Sequence, residues 1–377
     1  MTGLRPLTIL IAPDSFKGSL TSVEVAHALE TGWMRDRPHD TILLCPLADG
    51  GEGTLEAVAA AGGWEWRTTA ATDPIGRPVP ARWLRSPDGR RAVVELAEAS
   101  GLSRVAPAER RPRDASTFGT GTLIRAAIDS GASQLMVGIG GSATTDGGAG
   151  LLEGLGAGVG EGLDPITALR PIVRHISVEV ACDVSNPLLG PTGAAATYGP
   201  QKGADPADVA DLDAGLAGWA DRLETATGRR ERDTPGAGAA GGVGFALLAI
   251  QDVFAGFALR PGVDLVMDAT DFDARLAGAD LVITGEGRID AQTGFGKTAL
   301  GVARRAQAAG VPCIAVGGGV DVDGVEALAA IGAITVPVTE HPMTIEAAMA
   351  AGTAPVERCG ERLARLVDVG LHMGPTR

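Results

Sequence analysis

Aromatic side chains are scarce in this chain: one Tyr, seven Phe and five Trp among 377 residues, 3% in all. So few ring faces leave little on which nucleobases could stack. Positive charge is in deficit as well, with 32 Lys and Arg against 46 Asp and Glu and a net charge of −14, which opposes binding to a nucleic-acid backbone. No nucleic-acid partner is expected. Anionic small molecules stay compatible with this balance, because single cations and helix ends act locally while distant charge is screened by salt. Cysteine is limited to Cys45, Cys182, Cys313 and Cys359. They form no zinc or disulfide pattern, and three of them sit in apolar strand-like segments, where a free thiol packs as a small hydrophobe. The uncharged run 234–250 holds five glycines and is too short and small-sided to cross a membrane. Met1 to Pro6 leads straight into a strand without the charged-then-apolar profile of a signal peptide, so a cytoplasmic location is expected.

Glycine is what the chain has in abundance, 55 residues, beside an ordinary hydrophobic fraction of 45%. Small aliphatic side chains must do most of the packing, as suits an α/β protein. The length exceeds what one core normally serves, so two domains are expected. Leu7 to Ala12 is a buried-strand run ending at Pro13-Asp14, after which Ser19 or Thr21 caps a helix carrying Val23, Ala26, Leu29 and Trp33 at helical spacing. The unit repeats with a strand over Thr41 to Leu47, the loop Ala48 to Gly53 and a helix through Ala61. It returns late in the chain as a strand over Ala279 to Thr284, a loop Gly285 to Asp290, a helix Thr298 to Ala309 and further β-α turns. Fully apolar strands alternating with helices indicate a parallel, doubly wound sheet. Between them, Trp64 to Leu96 reads as antiparallel hairpins with turns at Asp73-Pro74-Ile75-Gly76 and Ser86-Pro87-Asp88-Gly89. Arg229 to Thr234 reads as a solvated charged loop. Residues 64–276 are thus expected to form a mixed α/β domain inserted into a Rossmann-like, mostly parallel sheet built from 1–63 and 277–377.

The densest chemical signal is the run Gly138 to Gly150, which follows an apolar strand, Gln134 to Ile139, and opens a helix near Ala149. Backbone N–H groups of Gly140, Gly141, Ser142, Ala143, Thr144 and Thr145 can turn inward together, and three hydroxyls add donors, which is how a chain binds phosphate. Asp146 opposes that role unless a metal ion lies beside it; the other reading is a helix cap. At the carboxyl ends of the outer strands stand Asp14, Ser15, Lys17 and Ser19, then Asp49 and Glu52, then Glu286, Arg288 and Asp290. Ligands of open parallel sheets bind at that edge. Several carboxylates with a few cations are the inventory of magnesium-assisted phosphoryl transfer. Asp183 and Asn186, directly after a strand, would orient a substrate hydroxyl or build an Asx-turn before Pro187. Gly238 to Gly244 is either another anion site or a place of close helix packing. Gly296-Lys297-Thr298 looks like the end of a P-loop, but Ala291 stands where its first glycine should be. No Gly-x-Gly-x-x-Gly follows the first strand either, which opposes a nicotinamide-dependent oxidoreductase.

Ala12 to Gly18, Ala48 to Thr54, Gly138 to Gly150, Asp183 to Leu188 and Thr284 to Asp290, in this order along essentially the whole chain, together resemble the type-1 bacterial glycerate kinases. The resemblance implies ATP- and Mg2+-dependent phosphorylation of D-glycerate, leaning to the 2-phosphoglycerate product, by a two-domain α/β enzyme without a P-loop. The residues accommodate it. Lys17, Arg288 or Lys297 would meet the glycerate carboxylate, with Ser15 and Asn186 beside the substrate. Asp183 and Asp14 are the leading candidates to accept the hydroxyl proton. ATP would lie on the Gly140 to Thr145 backbone, with Gly285 and Glu286 also on the nucleotide, and magnesium would be held by Asp49, Glu52 or Asp146. A substrate cleft between two domains would exclude water. A non-catalytic two-lobed binding protein is the remaining alternative, and it leaves the density of edge carboxylates unexplained.

Overall fold

The computed structural model describes residues 5–160, 162, 164–290 and 298–373. The chain begins with β1 (Thr8–Pro13), α1 (Ser22–Asp36), β2 (Thr41–Leu44) and α2 (Thr54–Ala60). It continues through β3 (Glu65–Thr72), β4 (Pro78–Arg85), β5 (Arg91–Glu95), α3 (Ala97–Ser100), α4 (Phe118–Asp129), β6 (Gln134–Gly138), α5 (Ala149–Leu155), α6 (Pro165–Val173) and β7 (Ser177–Ala181). Next come α7 (Ala194–Tyr198), α8 (Pro206–Thr227), α9 (Val243–Ala249), β8 (Gly256–Arg260), α10 (Gly262–Ala269), α11 (Phe272–Ala277) and β9 (Leu281–Ile289). The last elements are α12 (Thr298–Ala309), β10 (Cys313–Val320), α13 (Val322–Ala329), β11 (Ile334–Pro337), α14 (Ile345–Ala350) and α15 (Ala354–Met373).

Two compact units result: one of residues 1–49, 56–62 and 266–377, the other of 50–55 and 63–265. The first holds a five-stranded, wholly parallel sheet in the order β11-β10-β9-β1-β2. Counted within the unit this is 2-1-3-4-5, the flavodoxin-like winding, whose strand order reverses between β1 and β9. The apolar run that makes β1 is buried at every position from Ile9 on, as a central strand covered on both faces requires. Thr21 and Glu24 close a reciprocal capping box at the start of α1. That helix lays Val25, Leu29 and Trp33 into a core shared with Val356, Cys359 and Leu363 of α15.

The second unit holds the order β3-β4-β5-β6-β7-β8, antiparallel through the two hairpins and parallel from β5 onward. Its core joins Val94, Leu123, Val137, Leu151, Val178 and Phe245. All four cysteines are free. Among the described residues, no helix is long and apolar enough to cross a membrane.

Three local readings change. Gly285 to Asp290 is not a loop: β9 continues to Ile289 because Gly319 and Val320 of β10 pair with Arg288 and Ile289. Arg229 to Thr234 is not a solvated loop, since Arg229 binds Glu231 and Asp252 while Arg232 binds Asp221 and Glu224, and Glu231 is buried. Residues 50–55 pack with the second unit and 266–276 with the first, whereas the reading of loops by chain order places them the other way round.

Candidate active site

At the winding reversal of the first unit lies a cavity of about 920 Å³, lined among others by Asp14, Ser15, Lys17, Asp49, Glu286 and Arg288. Chain order explains the convergence. Asp14 leaves β1, Asp49 follows β2, and Glu286 stands on β9 next to β1, so three consecutive ends of one parallel sheet bring their polar residues together. Asp14 is buried. One of its oxygens accepts the Ser15 N–H at 2.6 Å, and the other accepts the Thr298 hydroxyl at 2.6 Å. Burial pushes its carboxyl above the usual carboxylate range, and the charge of Asp49 adds to the rise against the opposing effects of Thr298, Ser15 and Lys17. Lys17 Nζ reaches Asp49 at 2.7 Å, and the lysine side chain is 75% exposed. Arg288 is exposed and donates to Asp321 at 2.9 Å, with Asp290 at 3.5 Å.

Thr298 carries no chemical signal in the sequence beyond the Gly296-Lys297-Thr298 tripeptide at a helix start, which is not a P-loop. Lys297 lies outside the described residues.

In the second unit, the glycine-rich run leaves β6 against the Gly50-Gly51 backbone. Gly140 N–H donates to Gly50 O at 3.2 Å. A Cβ on Gly138 would stand 2.6 Å from Gly50 O, and one on Gly140 would stand 2.6 Å from Gly51 Cα. Both positions therefore require glycine. Glu52, exposed at the surface, belongs to this neighbourhood and not to the cavity of the first unit.

Asp146 is committed to the loop itself. One oxygen accepts Thr117 N–H, the Thr117 hydroxyl and Gly150 N–H at 2.8, 2.8 and 3.1 Å, and the other accepts Gly148 N–H at 3.1 Å. The start of α5 is thus satisfied from within the chain, as the capping reading describes. Gly238 to Gly244 is likewise close packing: a Cβ on Gly241 would sit 2.0 Å from Thr144 O and one on Gly244 2.1 Å from Gly236 O.

Asp183 is exposed, and one of its oxygens accepts Gly262 N–H at 2.9 Å. Asn186 forms no Asx-turn. Its amide donates to Thr192 O at 2.7 Å and its oxygen accepts the Tyr198 hydroxyl at 2.7 Å, tying down the segment before α7. The second unit also holds a buried lysine. Lys202, in Gly199-Pro200-Gln201-Lys202-Gly203, sends its ammonium under the glycine-rich loop to Ser142 Oγ at 2.9 Å and Thr144 O at 2.5 Å.

Residues 9–368 match the profile of the glycerate kinase family. The chain belongs to that family. A glycerate kinase of Bacillus subtilis (strain 168) is 46% identical over 334 residues, covering 84% of this chain and 86% of the relative. The glycerate 2-kinase of Escherichia coli (strain K12) is 43% identical over 329 residues, covering 83% and 85%. A crystal structure from Salmonella typhimurium LT2, provisionally named glycerate kinase 2, superposes with a TM-score of 0.82 at 40% identity, covering 98% of this chain and 100% of that one. Membership of the glycerate kinase family makes the chain a phosphotransferase acting on glycerate. It replaces the oxidoreductase and the non-catalytic binding readings.

Proposed function

We propose that this glycerate kinase uses ATP and magnesium to phosphorylate the 2-hydroxyl of D-glycerate, with Asp14 as the group that accepts the hydroxyl proton. The observation that carries the reading is Asp14 itself. It is a buried carboxylate at the winding reversal, oriented through both oxygens by Thr298 and Ser15, in a cavity that also holds an exposed ammonium. A carboxylate made more basic by burial, in a position fixed before substrate arrives, is suited to take a proton late in phosphoryl transfer. Lys17 supplies the positive charge that a small carboxylic acid needs, with Ser15 beside it. Arg288 is less available, because Asp321 and Asp290 already balance its guanidinium. The 2-hydroxyl is favoured by the likeness to the Escherichia coli glycerate 2-kinase.

Among the described residues no three metal-ligating side chains form a cluster, but magnesium takes few protein ligands and fills its shell with water and phosphate oxygens. The mutual repulsion of Asp14 and Asp49 is what a cation relieves, so the residues fit. Asp49 and Glu286 would hold magnesium, which when bound offsets the phosphate charge. Asp146 is left out of this role because its oxygens already serve the loop. The N–H groups of Gly141, Ser142, Thr144 and Thr145 would take the phosphates of ATP, those of Gly140 and Ala143 being held by Gly50 O and Ser100 O.

The test is ADP release by the purified protein given ATP, magnesium and D-glycerate. Turnover that requires D-glycerate and magnesium supports the reading. Absence of turnover, or turnover unchanged in Asp14→Asn, removes it.

A further inference from the structure

The lysine beneath the glycine-rich loop has no place in the chemistry above. Gly199 and the Pro200 to Lys202 turn lead into Gly203 at φ +96°, and the lysine side chain is turned inward until only 2% of the residue is exposed. A buried ammonium normally rests against a carboxylate, since an unpaired one is costly to desolvate. Here both partners, Ser142 Oγ and Thr144 O, are neutral. An ammonium has three N–H bonds to place, and these two acceptors use two of them. The same loop buries two further polar groups, the hydroxyls of Thr144 and Thr145, which have no hydrogen-bond partner among the described residues. Two unpartnered hydroxyls on one short loop and a buried ammonium beneath it, with no neutralising charge in contact, describe a place where an anion offsets an unbalanced charge.

The charges around Lys202 are few. Asp146 acts on it from within the loop, but its oxygens are spent on Thr117, Gly148 and Gly150. Arg110 donates to Gln201 O at 3.0 Å, one residue away, and Asp205 caps α8.

We propose that Lys202 is a positioning residue which takes up a proton from solvent when a phosphate anion binds on loop 140–145, so that nucleotide binding is coupled to protonation of this buried amine. The inference rests on the reading that this loop receives the phosphates of ATP. Burial drags the ammonium down to about 7 from its ordinary 10.5, against the weaker pull of Asp146. Above neutral pH the amine is therefore mostly uncharged until an anion restores the preference for the ammonium. The charged form then holds Ser142 and the Thr144 carbonyl in place while the anion is bound.

Calorimetric titration of the whole protein with ATP and magnesium, glycerate omitted, at pH 8 in buffers of different ionisation enthalpy, tests the coupling. Uptake of most of one proton by the unmodified protein is expected, with affinity falling by up to about tenfold per pH unit above neutrality. Lys202→Arg, whose charge is permanent, is expected to bind ATP without the uptake. Lys202→Met is expected to lose both the uptake and most of the affinity. The pH dependence of the unmodified protein decides the matter even if a variant fails to fold. ATP binding without proton uptake overturns the inference alone; no ATP binding overturns the reading of the loop and the inference with it.

Discussion

Replacing Asp14 by Asn should cost activity and gain stability, and the two effects have different origins. Asparagine keeps the shape and one acceptor for the Ser15 N–H, and the Thr298 hydroxyl can rotate to accept from the new amide. The packing is therefore preserved while the basic group is lost. General-base contributions span about 10²- to 10⁴-fold. Phosphoryl transfer relies little on deprotonating the acceptor early, so the lower half of that range is expected, about 3–4 kcal/mol in the barrier. On stability the sign runs the other way. Burial raises the folded-state Asp14 carboxyl above its ordinary value of 3.8, so the native state binds more protons than the unfolded chain in the window between the two. Stability falls as pH rises through that window, as the buried carboxylate takes on its charge. The variant escapes it. Steady-state ADP release should show a turnover lower by 10²- to about 10³-fold. Urea midpoints in magnesium-free buffer at pH 7 should be at least equal to those of the parent, with the difference narrowing toward pH 3.8. Near-normal turnover, or a marked loss of stability at pH 7, would refute the reasoning.

Other predictions test separate parts of the structure. Asp183→Asn should lose at least about tenfold less turnover than Asp14→Asn, because Asp183 is exposed and serves the Gly262 N–H; equal losses in kcat would contradict the choice of base. Thr298→Val should slow turnover by up to about tenfold through loss of one hydrogen bond to Asp14, with Thr298→Ser close to the parent. Gly32→Ala places a Cβ 1.8 Å from Glu357 O and 2.9 Å from Glu361 N, forcing α1 and α15 apart. A net loss of about 2–3 kcal/mol by chemical denaturation is expected despite the roughly 1 kcal/mol that alanine gains in a helix. Lys202 has a folded-state value near 7 against 10.5 when unfolded, so the unfolded chain binds the extra proton and stability should rise with pH across that window. Urea midpoints at pH 7 and 9 should show the slope in the parent and not in Lys202→Met.

The cavity was legible because chain position after an apolar strand is enough to place a residue at a parallel sheet's carboxyl edge. Asp14, Lys17 and Asp49 follow β1 and β2 directly, and nothing else about them had to be known. Glu286 reached the same place by a different route, on a strand that continues because the glycines of β10 keep pairing with it. Thr298 could be read only as a helix start, since its contact with Asp14 spans 284 residues. Glu52 shows the limit of the same rule: its loop follows β2, yet packs with the second unit once Gly50 and Gly51 touch the glycine-rich loop. Asp146 had two chemically sensible readings, and only the positions of Thr117 and Gly150 separate them. Lys202 lies in a Gly-Pro turn, and its burial under the glycine-rich loop rests on contacts 60 and 58 residues away in sequence, which no local pattern shows. Family likeness carried the substrate, which no pattern of burial or spacing specifies.

The central claim is that this chain transfers a phosphoryl group from ATP to the 2-hydroxyl of D-glycerate. Phosphorus NMR of the mixture after turnover tests it most directly. The account predicts a new phosphomonoester signal split into a doublet by the single proton on C2, growing as ADP forms. A triplet from coupling to the two protons on C3 would contradict the assigned position, and ADP formation without any phosphomonoester would contradict the transfer itself.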